Sequence, residues 1–224
     1  MDRKDKLDLI FKDRNEAGKL LAESLVEKLD SESFVLGIPR GGVIVAAEVC
    51  KRTGAPLDVV IVRKIGTPFS PELAAAAICE DGMLVLEQEV VRMYSVSREF
   101  IEKAAEREST VIEQRKLLYR GGRGFPDVRG RVVAIIDDGV ATGTTVLAAI
   151  NRVKRESPRR ILLGTPVISV EAAERIAREV DEVVDVLRPV ELYAIGEFYQ
   201  DFSQVSDEEV VEVLRLYGRP RYPA

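Results

Sequence analysis

The residues best equipped for chemistry in this 224-residue chain stand together at 137–145: Asp137 and Asp138, then Gly139, Val140, Ala141, Thr142, Gly143, Thr144 and Thr145. An apolar run over 132–136 precedes them and reads as a strand buried on both faces. The pattern over 144–155 predicts a helix. A loop of small residues that opens a helix offers backbone N–H groups, threonine hydroxyls and the positive end of the helix dipole, and together these seat a phosphate. Paired carboxylates beside such a seat repel phosphate, but they accept hydrogen bonds from sugar hydroxyls or hold a Mg²⁺ ion that a ligand brings. A ligand with phosphate, ribose and metal satisfies both halves of the segment.

Composition removes several alternatives. Histidine is absent, which excludes every Ser-His, Cys-His and His-metal mechanism. Chemistry must then run on carboxylates, Lys, Arg, hydroxyls and amides. Cys50 and Cys79 form no CxxC pair and have no companion cluster, so they read as small buried hydrophobes rather than a disulfide or zinc site. The balance of 33 Lys and Arg against 38 Asp and Glu, net −5, argues against a nucleic-acid surface, and no helix-turn-helix or basic stripe is recognisable. Neither GxxxxGKS nor GxxxxGKT occurs, and no GxGxxG follows the first strand, so a P-loop NTPase and a dinucleotide-binding fold lack their fingerprints. With no run of 18 apolar residues and a highly charged start, the chain is expected to be soluble, unexported and cytoplasmic, with no membrane partner.

The elements that must position the acids follow from hydrophobic patterning. Asp13 with Glu16 starts an amphipathic helix through Leu29, and 34–38 reads as a strand, with Pro39-Arg40-Gly41-Gly42 as the turn into a helix over 43–51. Strands are predicted at 57–62, 132–136, 161–167 and 183–187, and helices at 97–119, 144–155 and 172–180, with Gly121-Gly122 ending the long one. Asp81-Gly82 between apolar stretches predicts a hairpin within 74–94. Ser206 with Glu209 forms a capping box for a helix to about Tyr217. Apolar strands alternating with helices give an α/β, doubly wound, mainly parallel five-stranded sheet with helices on both faces. One domain over 1–224 is expected. Its ligand should bind beyond the carboxyl ends of the strands.

The segment Val132 to Thr145 resembles the ribose-phosphate signature of type I phosphoribosyltransferases, in which four apolar residues precede two acids and a loop ending in T-G-x-T. Residues Gly37 to Val43 stand where that fold places its pyrophosphate loop, and Val62 to Pro68 is similar to the segment that adds cations. FKDRNEAGKLLAESL and GEFYQDFSQVSDEEV extend the likeness along the whole chain, which looks like a group of predicted phosphoribosyltransferases of uncharacterised acceptor. The resemblance implies that phosphoribosyl pyrophosphate gives its 5-phosphoribosyl group to a nucleobase-like nitrogen acceptor, releasing pyrophosphate, with Mg²⁺ as cofactor. Ala141, Thr142, Gly143, Thr144 and Thr145 would seat the 5-phosphate. Asp137 and Asp138 would bind ribose hydroxyls and hold Mg²⁺, largely through ligand and water. Pro39, Arg40, Gly41, Gly42, Arg63 and Lys64 would serve the pyrophosphate, with a non-proline cis peptide at Arg40 or Gly41. Where members acting on 6-oxopurines carry an acid, this chain has Ala141, which turns the expectation away from hypoxanthine and guanine.

The acceptor pocket of such proteins is built by a small hood, here expected from parts of 66–94 and 190–224. Pro71, Glu72 and Glu80 in one part, and Glu197, Phe198, Tyr199, Asp201 and Phe202 in the other, are candidates for meeting a base; Tyr199 is the one chosen for stacking. Packing of these aromatics onto the sheet is the competing reading. The rival functions are a non-catalytic sensor of phosphoribosyl pyrophosphate or a nucleotide, and a receiver whose strand ends in a phosphoacceptor aspartate. The apolar stripe over 97–119 suits either a homo-oligomer interface or the sheet. Arg outnumbers Lys, asparagine is confined to Asn15 and Asn151, and charges of both signs abound, a mix found in thermophile proteins. The purified protein is therefore expected to melt above about 60 °C in scanning calorimetry, near the top of the mesophile range; a lower midpoint removes that expectation.

Overall fold

The computed structural model describes residues 10–71 and 73–218; the charged start at 1–9, the hood candidate Glu72 and the last residues, 219–224, lie outside the described residues. Five parallel strands, β1 (Phe34–Gly37), β2 (Leu57–Val59), β6 (Val132–Ile136), β7 (Arg160–Val167) and β8 (Glu182–Leu187), pair in the order β2-β1-β6-β7-β8. Every residue of β1 and β6 is buried, as a strand covered on both faces requires. Side chains alternate between the faces. Val35, Ala134 and Leu162 join Leu21 and Leu25 of α1 (Arg14–Leu25) and Val43 and Val49 of α2 (Gly41–Thr53) in one apolar cluster. Leu36, Ile135 and Leu163 join Val146 and Ile150 of α5 (Thr144–Lys154) and Ile176 of α6 (Val170–Ile176) in another. The doubly wound α/β architecture expected from patterning is thus the observed one.

A three-stranded antiparallel sheet stands beside it, built from β3 (Val62–Gly66), β4 (Ala74–Cys79) and β5 (Leu84–Leu86). The predicted strand over 57–62 is two strands. Val60 donates its N–H to Gly37 O at 3.1 Å, the last bond to β1, and Ile61 then exchanges bonds with Glu80 instead. The Ile61 N–H donates to Glu80 Oε1 at 3.0 Å, and the Glu80 N–H donates to Ile61 O at 3.0 Å. Continuous hydrophobicity hides this change of partner, because Val59, Val60, Ile61 and Val62 are all buried across it. The hairpin at Asp81-Gly82 forms between β4 and β5. A short helix, α3 (Gln88–Met93), follows it unanticipated, and α6 stops at Ile176, short of the predicted Val180.

The long helix α4 (Arg98–Arg120), capped by Ser97 and ended at left-handed Gly121, lays Ile101, Ala104, Ala105 and Ile112 in the same cluster as Ile65, Ala76 and Ile78. These residues of its apolar stripe pack on the three-stranded sheet, while Leu117 and Leu118 near its end are exposed. The helix α7 (Asp207–Tyr217) begins with the full Ser206–Glu209 capping box. Arg120 closes the joint between the two sheets: it donates to Asp58 at 3.0 Å, to both carboxylate oxygens of Glu80 and to the carbonyl of Val59. Glu80, expected to face an acceptor, is instead the buried counter-ion of Arg120, because two backbone strands and a guanidinium converge on it. Replacing Arg120 with Ala leaves that carboxylate buried and unpaired, and should cost about 3–5 kcal/mol in chemical denaturation. A loss under about 1 kcal/mol, the worth of an exposed pair, would show that Glu80 is not sealed from water.

Candidate functional site

Because β1 and β6 are neighbours in the parallel sheet, the loops leaving their carboxyl ends must lie side by side. They are in contact. A β-carbon at Gly41 would lie 2.6 Å from Asp138 Cγ, and one at Gly42 would lie 2.6 Å from Ile136 O and 2.9 Å from Asp137 Cα. Only glycine leaves room for that approach. The peptide between Pro39 and Arg40 is cis, at one of the two positions the resemblance implies. Arg40 itself precedes α2, and its charge reaches the Tyr119 hydroxyl of α4, which burial and Asp207 push well up and Arg115 and Arg40 oppose.

The helix ends carry a second signal. Asp13, Ser97, Ser169 and Ser206 each cap a helix through a side-chain oxygen. The helices α2 and α5, whose N-caps are Arg40 and Gly143, have no side-chain cap bond. Of their first-turn N–H groups, which lack the i→i−4 partner of the helix interior, that of Val43 donates to Arg40 O at 3.1 Å, and both positive ends adjoin the acid pair. Gly143 takes φ 82°, the left-handed conformation that lets the turn enter α5. Below it, Ser169 donates its hydroxyl to Ala141 O at 2.7 Å and accepts from the Ala172 N–H at 3.0 Å, tying the turn to α6. The Thr142 and Thr144 hydroxyl oxygens are 3.3 Å apart. Thr145 is half-buried on the first turn of α5.

The two acids differ. Asp138 accepts from Arg14 Nε at 2.7 Å, and Arg14 also donates to Ser203 O at 2.8 Å and stacks 3.9 Å from the Phe202 ring centre. Asp137 accepts from the Asp138 N–H at 3.0 Å. Removal from water, and then the neighbouring Asp138 charge, raise its carboxyl well above the ordinary carboxylate range. Adjacent carboxylates in one turn cannot both ionise at no cost.

Tyr199 is buried. Its ring centre lies 5.2 Å from that of Phe11 and 4.9 Å from that of Phe202, and its hydroxyl donates to Asp138 O at 2.6 Å. The sequence reading chose it to stack on a base; its ring is instead taken up in packing, so it is a positioning residue for the acid turn. Arg63 and Lys64 are adjacent on β3 and so leave it on opposite faces. Arg63 donates to Glu108 of α4 at 2.6 Å and is not brought to the loops. Lys64 shares its face with Val62, which packs in the α5 cluster. Three participants escaped sequence reasoning: Arg14, Glu87 and Arg175. Glu87 Oε2 accepts from Thr144 Oγ1 at 2.7 Å and from Arg175 at 2.6 Å. The only local signals were Arg14 just inside a helix and Arg175 in a last helical turn, neither of which names a partner.

The phosphoribosyl transferase domain model matches residues 11–194, a span that holds both loops and the acid turn. Two proteins of Mycobacterium tuberculosis strains, named as candidate phosphoribosyl transferases, are each 40% identical over 205 residues, 92% of this chain. The chain spans 46% of their length, about half. The crystal structure of TT1426 from Thermus thermophilus is 43% identical, with TM-score 0.76 over 94% of this chain and 100% of that one. The AQ2163 protein of Aquifex aeolicus, 14% identical with TM-score 0.51, covering 82% of this chain and 76% of that one, shares the fold.

The raised carboxyl of Asp137 sets a pH dependence. A proton held more tightly by the folded chain than by the unfolded one stabilises folding fully below the ordinary value of 3.8, and that contribution is lost as pH rises through the elevated folded value. Asp137→Asn, neutral throughout, should therefore melt above wild type at pH 8 in the absence of ligand, the gap narrowing as pH falls toward 4. Equal gaps at both ends would show that Asp137 ionises freely.

Proposed function

The chain belongs to the phosphoribosyl transferase domain family, and from that premise we propose that it transfers a 5-phosphoribosyl group from phosphoribosyl pyrophosphate to a nitrogen acceptor of nucleobase type, releasing pyrophosphate. One observation supports the reading: the glycine loop after β1 abuts the acid pair after β6, so two carboxylates and two helix ends without side-chain caps share one edge of the sheet. Ala141 to Thr145 take the 5-phosphate on the first-turn amides of α5 and the threonine hydroxyls. Asp137 and Asp138 take the ribose hydroxyls, Asp138 being released from Arg14 as they arrive. Arg40, the amides of Gly41 and Gly42, and Lys64 take the pyrophosphate.

The reaction needs no protein nucleophile. As the bond from the anomeric carbon to pyrophosphate breaks, positive charge grows on the sugar ring and negative charge on the leaving group. The fixed carboxylates answer the first and the cations and amides the second. Water must be kept from the ring, which otherwise would be hydrolysed. Asp137 and Asp138 are hard oxygen donors that fit Mg²⁺, and among the described residues no group of three or more His, Cys, Asp or Glu could hold a metal ion alone. The pair therefore suits an ion that arrives on the ligand's own oxygens. When bound, such an ion neutralises the leaving group as a Lewis acid. With Ala141 where an acid would favour 6-oxopurines, adenine, orotate and uracil are the acceptors to try first.

The test is a thermal-shift and pyrophosphate-release panel with Mg²⁺ and phosphoribosyl pyrophosphate first, then each base added. A ligand that binds the native state raises its midpoint by mass action. An acceptor should add a further rise and start pyrophosphate release. Asp137→Asn with Asp138→Asn should cost about 2–4 kcal/mol of transition-state stabilisation. Turnover unchanged in that double variant would remove the assigned roles, and binding without release for every acceptor would make the chain a sensor.

A further inference from the structure

The phosphate turn already has an anion on it. Glu87 stands between β5 and α3, and its carboxylate reaches the turn at Thr144. One oxygen, Oε2, accepts from the Thr144 hydroxyl at 2.7 Å and from the Arg175 guanidinium at 2.6 Å. Thr144 is buried, and Arg175 also lies 3.4 Å from Thr142 O. Arg175 stands in the last turn of α6, the helix whose Ser169 cap and Ile176 side chain support the same turn: Ser169 holds Ala141 O, and Ile176 Cδ1 would lie 3.0 Å from a β-carbon at Gly143. A hydroxyl donor and a guanidinium converging on one carboxylate oxygen are the partners a phosphate oxygen takes. An internal carboxylate that uses them competes with a ligand for the same donors.

We propose that Glu87 is a built-in competitor for the 5-phosphate, and that Arg175, released when Glu87 is displaced, becomes a direct contact to that phosphate. The inference rests on the reading of 141–145 as a phosphate seat and adds two residues to it. Binding is then an exchange: the incoming phosphate takes the Thr144 hydroxyl and the Arg175 charge, and Glu87 swings into water. Because Glu87 joins β5 to α3, the exchange also unties this end of the small sheet from α6. The arrangement favours ligands that bring a doubly charged phosphate over neutral ribosides, which could not displace a carboxylate from a guanidinium.

The experiment is calorimetric titration of the full chain with ribose 5-phosphate, using Glu87→Gln, Glu87→Asp, Glu87→Gln with Arg175→Gln, and Glu89→Gln as a control for charge at a distance. Thermal melts confirm that each variant is folded. Glu87→Gln should bind about fivefold tighter than wild type, the scale of one part-exposed ion pair. Glu87→Asp, which keeps the charge but shortens the reach, should also bind tighter. Adding Arg175→Gln to Glu87→Gln should reverse the gain, because the contact itself is then missing, while Glu89→Gln should stay within about twofold of wild type. Pyrophosphate, read in the same series, should not respond to Glu87→Gln. Wild-type binding that Glu87→Gln leaves equal or weaker overturns this proposal and spares the phosphate seat. Equal gains in Glu87→Gln and Glu89→Gln also overturn it, as a field effect only. Should neither wild type nor any variant bind ribose 5-phosphate or phosphoribosyl pyrophosphate, the phosphate seat itself is refuted and this inference with it.

Discussion

The contact between Gly41-Gly42 and Asp137-Asp138 is the constraint on which the rest of the structure depends. Two adjacent carboxylates at the end of a buried strand repel each other and lose water. They are held by what surrounds them: the positive ends of α2 and α5, the Asp138 N–H given to Asp137, and the Arg14 guanidinium on Asp138. Each source is weak alone, a helix end amounting to about half a unit charge. Their convergence requires that β1 and β6 be neighbours and that the loop after β1 have no β-carbons at its closest approach. Sheet order and two glycines thus do electrostatic work.

Two groups of the site meet charged partners from elsewhere in the chain. Arg14 from α1 pairs with Asp138, and Glu87, between β5 and α3, accepts from Thr144 and Arg175. An orphaned charge or a bare buried donor would cost the fold stability, and Arg14 on Asp138 and Arg175 on Glu87 supply counter-ions from within the chain. These counter-ions sit on elements outside the five-stranded sheet. Tyr199, packed against Phe11 and Phe202, fixes the Asp138 backbone through the hydrogen bond of its hydroxyl to Asp138 O.

Much of this was legible in residue order. The Asp13 and Ser206 caps, the stop at Gly121 and the hairpin at Asp81-Gly82 are local devices whose chemistry acts within four residues, and they stand where patterning puts them. The five parallel strands likewise follow from apolar runs. The break at Val60-Ile61 was not legible, because it is a change of hydrogen-bonding partner without a change of burial. Glu80 looked like a free acid and proved to be the counter-ion of Arg120, forty positions away. Arg63 and Lys64 looked like one cationic pair, yet the pleat of β3 sends them to opposite faces, and Glu108 claims the first.

By itself, then, the order of residues determined the alternation of strands and helices, the acid pair and its phosphate turn, and the glycines that had to adjoin something, since each of these is a matter of neighbours along the chain. Only the tertiary structure decided which of the two acids Arg14 would meet, that Tyr199 would be spent on packing, and that Glu87 and Arg175, separated by α3, α4, β6, α5 and β7, would close on Thr144. Charges pair through space, and a side chain's partner is set by which strands lie side by side.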